Sequence, residues 1–215
     1  MKKIILVLTF FILLAGYTQA QEKTGLGFTP KSYYSFSWNT TFTLGDFNKW
    51  VGNASPAGFD LGGRFLVLNG LTAGFNLAWQ RVGQNYGYET FYGEDGEAIT
   101  ATNYRFTWMV PFQAVIGYHF IPDKLVSPYV SLGIGGDYME HHLMVQEYDI
   151  YTTRWDFSLT PEVGALIKFG NFSSWGALVA FNYKWTNNKI DLDNDMISKN
   201  LSMFNLKVGL CLIVR

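Results

Sequence analysis

The side chains able to do chemistry are few: three histidines, one cysteine and a scatter of acids. His141 and His142, with Glu140 or Glu147 beside them, offer the donor types of a metal site. Adjacent residues on a strand point to opposite faces, so the two imidazoles cannot readily share one ion. Asp191, Asp193 and Asp195 have the spacing of a cation-binding turn, but they lack the glycine and distal glutamate of a calcium hand. Gly135-Gly136 would suit a phosphate cradle only with a Lys-Ser/Thr and a helix behind it, and neither follows. The pair reads instead as a bend or a close strand approach. No serine and acid converge on His119, so no nucleophilic triad is expected. Cys211 stands alone, which excludes an internal disulfide and a thiolate metal cluster. The expectation is no catalytic residue, no metal and no cofactor, and hence no enzyme.

What remains is a set of charges with a common parity. Arg64, Arg105, Asp137, Glu162, Lys168, Lys184 and Lys207 all fall on the small, polar side of segments that alternate with a period of two. Such alternation marks strands with one face in an apolar medium. Eight segments show it: residues 32–43, 58–68, 71–82, 101–120, 128–145, 154–169, 175–186 and the run that ends the chain. In the first, Tyr34, Phe36, Trp38, Thr40 and Phe42 oppose Ser35, Ser37, Asn39, Thr41 and Thr43. In the fourth, Tyr104, Phe106, Trp108, Val110, Phe112, Ala114, Ile116, Tyr118 and Phe120 form an unbroken apolar row.

The connections punctuate these strands. Asn69-Gly70 predicts a two-residue type I′ hairpin. Residues 121–127 and 170–174 read as short turns. Residues 45–57, 83–100, 146–153 and 187–200 read as longer polar loops, with Phe47, Trp50 and Val51 able to form a short amphipathic turn packed on the mouth of the structure. Short connections therefore alternate with long ones, the asymmetry of membrane barrels with short periplasmic turns and longer external loops.

The N-terminal residues indicate the compartment. Lys2 and Lys3, the apolar run Ile4–Ala15 and the small residues before Ala20 read as a secretory signal peptide over 1–20, too short a run to serve comfortably as an anchor. Residues 21–31 read as a periplasmic leader, and 32–215 as the barrel. Without the signal the chain carries 14 basic and 17 acidic residues, not the charge of a nucleic-acid binder. Aromatics make up 18% and charged residues 15%, against about 25% charged in ordinary globular domains. That balance favours a membrane interface.

Periodicity alone does not choose between a membrane barrel and a soluble barrel with its apolar face inside. Bulk does. Eight strands leave an interior just wide enough for side chains or one small ligand. Trp108, Phe112, Trp155, Phe157, Phe181 and Trp185 would overfill it, whereas the Gly, Ser, Thr and Asn face fits a narrow lumen. Trp38, Trp79, Trp108, Trp155 and Trp185 are then expected to face lipid or its interfaces. The seven charges are expected to pair as a network that plugs the lumen.

The run Trp38–Asp46 leading into Gly58–Phe65, with Pro128–Gly135 and Pro161–Gly164, resembles the small porin-like outer-membrane β-barrels of Gram-negative bacteria, of the OmpA, OmpX and OmpW type. The resemblance spans the mature chain. It departs at the end, where Leu212-Ile213-Val214-Arg215 replaces the terminal aromatic that assembly machinery reads. It implies an all-β, eight-stranded antiparallel up-and-down transmembrane barrel, integral to the outer membrane. The implied partners are outer-membrane lipid, lipopolysaccharide and, during biogenesis, the barrel assembly machinery; no nucleic acid is implied, and the chain is expected to be a monomer. The reading is a structural or adhesive role through the external loops. A narrow porin passing small solutes is the alternative, and a lipid-modifying outer-membrane enzyme stands further off.

Overall fold

The computed structural model describes residues 31–52, 54–92, 97–171, 173–187, 190–192, 195–198 and 200–214. The signal peptide, the leader up to residue 30, and Asp193 lie outside them. The side chains of Asp191 and Asp195 lie outside them as well.

The elements follow the alternation. They are β1 (Ser32–Leu44), α1 (Gly45–Val51), β2 (Ala54–Ser55), β3 (Gly58–Leu66), β4 (Leu71–Tyr92), β5 (Ala98–His119), β6 (Val126–Val145), β7 (Tyr148–Lys168), β8 (Trp175–Thr186), β9 (Ile190–Leu192), β10 (Asp195–Ser198) and β11 (Leu201–Val214). Eight of them form a closed antiparallel ring in the order β1, β3, β4, β5, β6, β7, β8, β11. The last strand pairs with the first from Ser32 opposite Val214 to Leu44 opposite Ser202. Where all eight strands run side by side, closure leaves no free edge and satisfies the backbone internally, the condition for crossing lipid with strands. Among the described residues no helix is long and apolar enough to cross a membrane.

Four expectations about connections are corrected. Residues 83–92 and 98–100 are strand rather than loop. β4 runs out to Tyr92 and β5 begins at Ala98, paired throughout with one register shift between Asn85 and Gly87. Residues 146–153 shrink to a tight turn at Gln146 and Glu147, with Gln146 at φ 57°. Residues 187–200 contain the small β9–β10 hairpin. The physical reason is shared: backbone ladders form whether or not side chains alternate, and beyond the membrane both faces of a sheet tolerate polar groups. The fourth correction is the Asn69-Gly70 turn. β3 ends at Leu66, and only Gly70 takes a positive φ (81°), so the turn is not type I′, which needs two such residues.

The strands are unequal as a result. β4 pairs with β3 only up to Gln80, and β7 pairs with β8 only from Ser158 inward. Beyond those points β4 to β7 continue together for about ten residues, roughly 34 Å along the strand. One wall of the barrel thus rises well past the other. It projects from the end opposite Ser32, Val214 and the three short turns, the external end in barrels of this kind.

The lumen is filled in layers. At the inner end lie Tyr33, Tyr129, Leu166, Leu178, Ala180, Cys211 and Ile213. At the outer end Met109, Met139, Met203, Val82, Leu201 and Ile190 meet Phe47, Trp50 and Val51 from α1. The expected amphipathic turn at the mouth is therefore a helix whose apolar side closes it. α1 stops at Gly52, whose φ of 80° turns the chain away and whose N–H donates to Asn48 O at 2.9 Å. Between the two apolar layers lies a band of polar and charged side chains.

Candidate functional site

The polar band is built from inward positions of all eight strands of the ring. Asp60 and Arg64 share one face of β3, two pleats apart. Glu162 comes from β7, Lys207 and Asn205 from β11, Asn182 and Lys184 from β8, Asp137 from β6, and Gln113 from β5. Lys207 Nζ lies 2.8 Å from Asp60 Oδ2 and 3.0 Å from Glu162 Oε2. Asn76 of β4 donates to the same Asp60 oxygen. Glu162 also accepts from the Tyr129 hydroxyl at 2.9 Å and from Asn182 at 3.2 Å. Asn205 donates to Asn182 at 2.8 Å and accepts from Thr41 and Gln80. Arg64 donates to the carbonyls of Phe75 and Gly63 at 2.7 and 3.2 Å.

A second group sits beside this one. Lys184 Nζ is 2.6 Å from Asp137 Oδ2, and Thr186 and Ser158 donate to the same carboxylate at 3.1 and 3.3 Å. Gln113 continues the chain to Ser158 and Thr160, both at 2.8 Å. All six charged groups of the band are buried. Asp60, Asp137 and Glu162 balance Arg64, Lys184 and Lys207, so the band is neutral. That matters because an uncompensated charge in such an interior costs several kcal/mol.

The seven charges expected in the lumen divide. Arg64, Asp137, Glu162, Lys184 and Lys207 are in the band. Arg105 is not: its guanidinium packs 5.1 Å from the Trp50 ring and 4.7 Å from the Tyr86 ring, over α1 at the outer mouth. It lies on the polar face, which continues past the band. Lys168 is not in the band either. It lies at the inner end, where its ammonium donates to Pro122 O at 2.6 Å in the β5–β6 connection. Asp60 is the charge that sequence reasoning missed. Asp60 has the parity of Arg64, which is the signal for it, but it sits in a glycine-rich stretch of β3. The apolar outer layer was also missed as part of the lumen, because Met109, Met139 and Met203 occupy the polar parity.

His119 caps the inner end. Its Nδ1 is 2.9 Å from Ser127 Oγ, its Nε2 is 3.2 Å from the Tyr33 hydroxyl, and its ring stacks on Tyr129. A cavity beside it, lined by Tyr33, Arg64, Thr72, His119 and Ser127, has room for about one water. His141 and His142 do point to opposite faces. His141 is buried with Nδ1 2.9 Å from Thr107 Oγ1, whereas His142 is on the outside. Among the described residues no three His, Cys, Asp or Glu groups converge as a metal cluster. Gly135 has the bland role expected: a Cβ there would lie 2.0 Å from Phe112 O, so the strands need the space.

The outer surface is the bulky one. Trp38, Trp108 and Trp155 are exposed, with Trp155 at 71%. Trp79 and Trp185 face the same way but are half-covered by neighbours; Trp79 stacks on Phe59 at 5.7 Å and meets Trp108 edge-on at 6.1 Å. Phe36, Phe112, Ile116, Val130, Phe157, Val163, Phe181 and Leu210 fill the zone between. An exposed apolar band of this extent around a closed ring is a lipid contact surface.

No family model matches the sequence, and no curated protein matches it either. Solved structures do match. Neisserial surface protein A is similar at 12% identity and a TM-score of 0.51, covering 85% of this chain and 96% of that one. Ail of Yersinia pestis, the attachment invasion locus protein, is similar at 13% identity and a TM-score of 0.50, covering 86% and 99%. At such identities the likeness speaks for the fold alone. With the closed ring, the lipid-facing belt and the polar interior, it makes this chain an integral β-barrel of the Gram-negative outer membrane, with the fold of the small eight-stranded kind.

Proposed function

We propose that the protein is a closed barrel whose work is structural or adhesive and is done outside the membrane by the projecting β4–β7 sheet and the loops around it. The observation that carries this reading is the filling of the lumen. A neutral ion network spans the middle, apolar layers cover it on both sides, and α1 seals the outer mouth. Conduction would require breaking buried ion pairs, which costs about 3–5 kcal/mol for each partner removed. The projecting wall, by contrast, spends about ten residues of each of four strands on presenting surface beyond the membrane. Tyr88, Tyr148, Ile150 and Tyr151 are exposed on it, and aromatic side chains are the type that anchors protein interfaces. We read the chain as non-catalytic, because the buried histidines are held by hydroxyls and neither sits beside an activated nucleophile.

The test has two arms. Refolded protein in a planar bilayer should give no single-channel steps. Cells displaying the barrel should adhere to host-cell or matrix surfaces, and a variant with β4–β7 cut back to the level of Gln80 and Ser158 should lose that adhesion while keeping its heat-modifiable migration. Discrete conductance, or adhesion unaltered by the truncation, overturns the reading.

A further inference from the structure

We propose that His142 and Glu140 form a site for one divalent ion of the zinc class on the outer face of the projecting sheet, with Asp149 orienting the imidazole. This goes beyond the structural reading above and does not depend on it. His142 lies opposite Phe106 on β5 and Tyr151 on β7. Its ring is stacked between them, with centroids at 4.4 and 5.5 Å and interplanar angles of 7° and 22°. That clamp fixes the ring plane. Both Asp149 carboxylate oxygens lie 3.0 Å from Nδ1, which assigns the Nδ1 proton to that bond and leaves the Nε2 lone pair free to coordinate. A carboxylate behind the distal ring nitrogen is the usual support of a metal-ligating histidine.

Nε2 then faces Glu140 Oε2 at 3.5 Å. The separation is long for a hydrogen bond. It suits the edge of a tetrahedral site, since bonds of about 2.0–2.2 Å from zinc to nitrogen and oxygen set two ligands roughly 3.4 Å apart. The other Glu140 oxygen is held by the Tyr138 hydroxyl, so the carboxylate is steadied as the imidazole is. His141 is excluded, being buried on the opposite face. Glu140 pairs directly with Trp108, and His142 lies one pleat further out. The site therefore sits just outside the aromatic belt, at the depth of lipid headgroups. Two protein ligands leave two positions, to be filled by water or by headgroup phosphate oxygens.

The experiment is isothermal titration of zinc chloride into the tag-free full chain, refolded in zwitterionic detergent at about pH 7.5. The expected result is one ion per chain with micromolar affinity. Asp149→Asn should weaken binding by about tenfold to a hundredfold, and Glu140→Gln and His142→Gln, each of which removes one of the two ligands, should abolish it. Heat-modifiable migration checks that each variant folds. If His142→Gln does not fold, Glu140→Gln carries the test, because that side chain is outside the lumen. No saturable uptake below millimolar zinc, or uptake unchanged by Glu140→Gln, overturns the proposal.

Discussion

Lys207 is the pivot of the buried ion network, and replacing it with methionine tests how that network holds the barrel closed. The substitution keeps the length of the side chain and removes the ammonium. Asp60 and Glu162, 2.8 and 3.0 Å from Nζ, then face each other across the vacated position. Their oxygens can be at most about 5.8 Å apart, so at an effective dielectric constant near 20 the exposed repulsion is roughly 3 kcal/mol. Asp60 keeps Asn76, and Glu162 keeps Tyr129 and Asn182. Those bonds limit the damage without replacing the charge. The expected destabilisation is about 3–5 kcal/mol, the range for removing one partner of a buried pair. Reversible urea unfolding of the barrel in lipid vesicles, followed by tryptophan fluorescence, measures it. The double variant Lys207→Met with Glu162→Gln restores neutrality in that cluster and should recover at least 1 kcal/mol of the loss. A loss below about 1 kcal/mol for the single variant, or a double variant worse than the single, would refute the account.

Three further outcomes follow from the same geometry. Phe112→Arg places a charge on the lipid face midway between Tyr118 and Trp108, and should cost about 2–4 kcal/mol in the same unfolding assay, whereas Trp155→Arg at the outer belt should cost about 0–1 beyond the lost aromatic contacts; equal costs at both depths would refute the placement of the membrane. Phe47→Ala removes a fully buried ring from the α1 seal and should destabilise by about 3–5 kcal/mol, yet give no conductance in a bilayer, because the ion band below it remains shut. Gly209→Ala puts a Cβ 2.2 Å from Phe36 O at the seam that closes the ring, so refolding yield scored by heat-modifiable migration should fall sharply; a normal yield would mean that the seam can part without cost.

The sequence alone determined the barrel. A period of two written eight times, with bulky residues on one parity and small or charged ones on the other, has one economical solution in an outer membrane. Strand parity therefore placed Arg64, Asp137, Glu162, Lys184 and Lys207 inside and the tryptophans outside. It also separated His141 from His142. Tertiary structure decided depth along the axis, since parity says which face a residue takes but not how far along the barrel it sits. Arg105 and Lys168 have the right parity and lie beyond the ion band. Met109, Met139 and Met203 share that parity and make an apolar seal with α1. Only the register of β4 to β7 could reveal that residues 83–92 and 148–153 extend as a projecting sheet, because backbone pairing outside the membrane proceeds without an alternating pattern to announce it. The same register brings Phe106, His142 and Tyr151 into one stack, from segments about 36 and 9 residues apart in the chain, and no spacing rule in one strand encodes a neighbour on another.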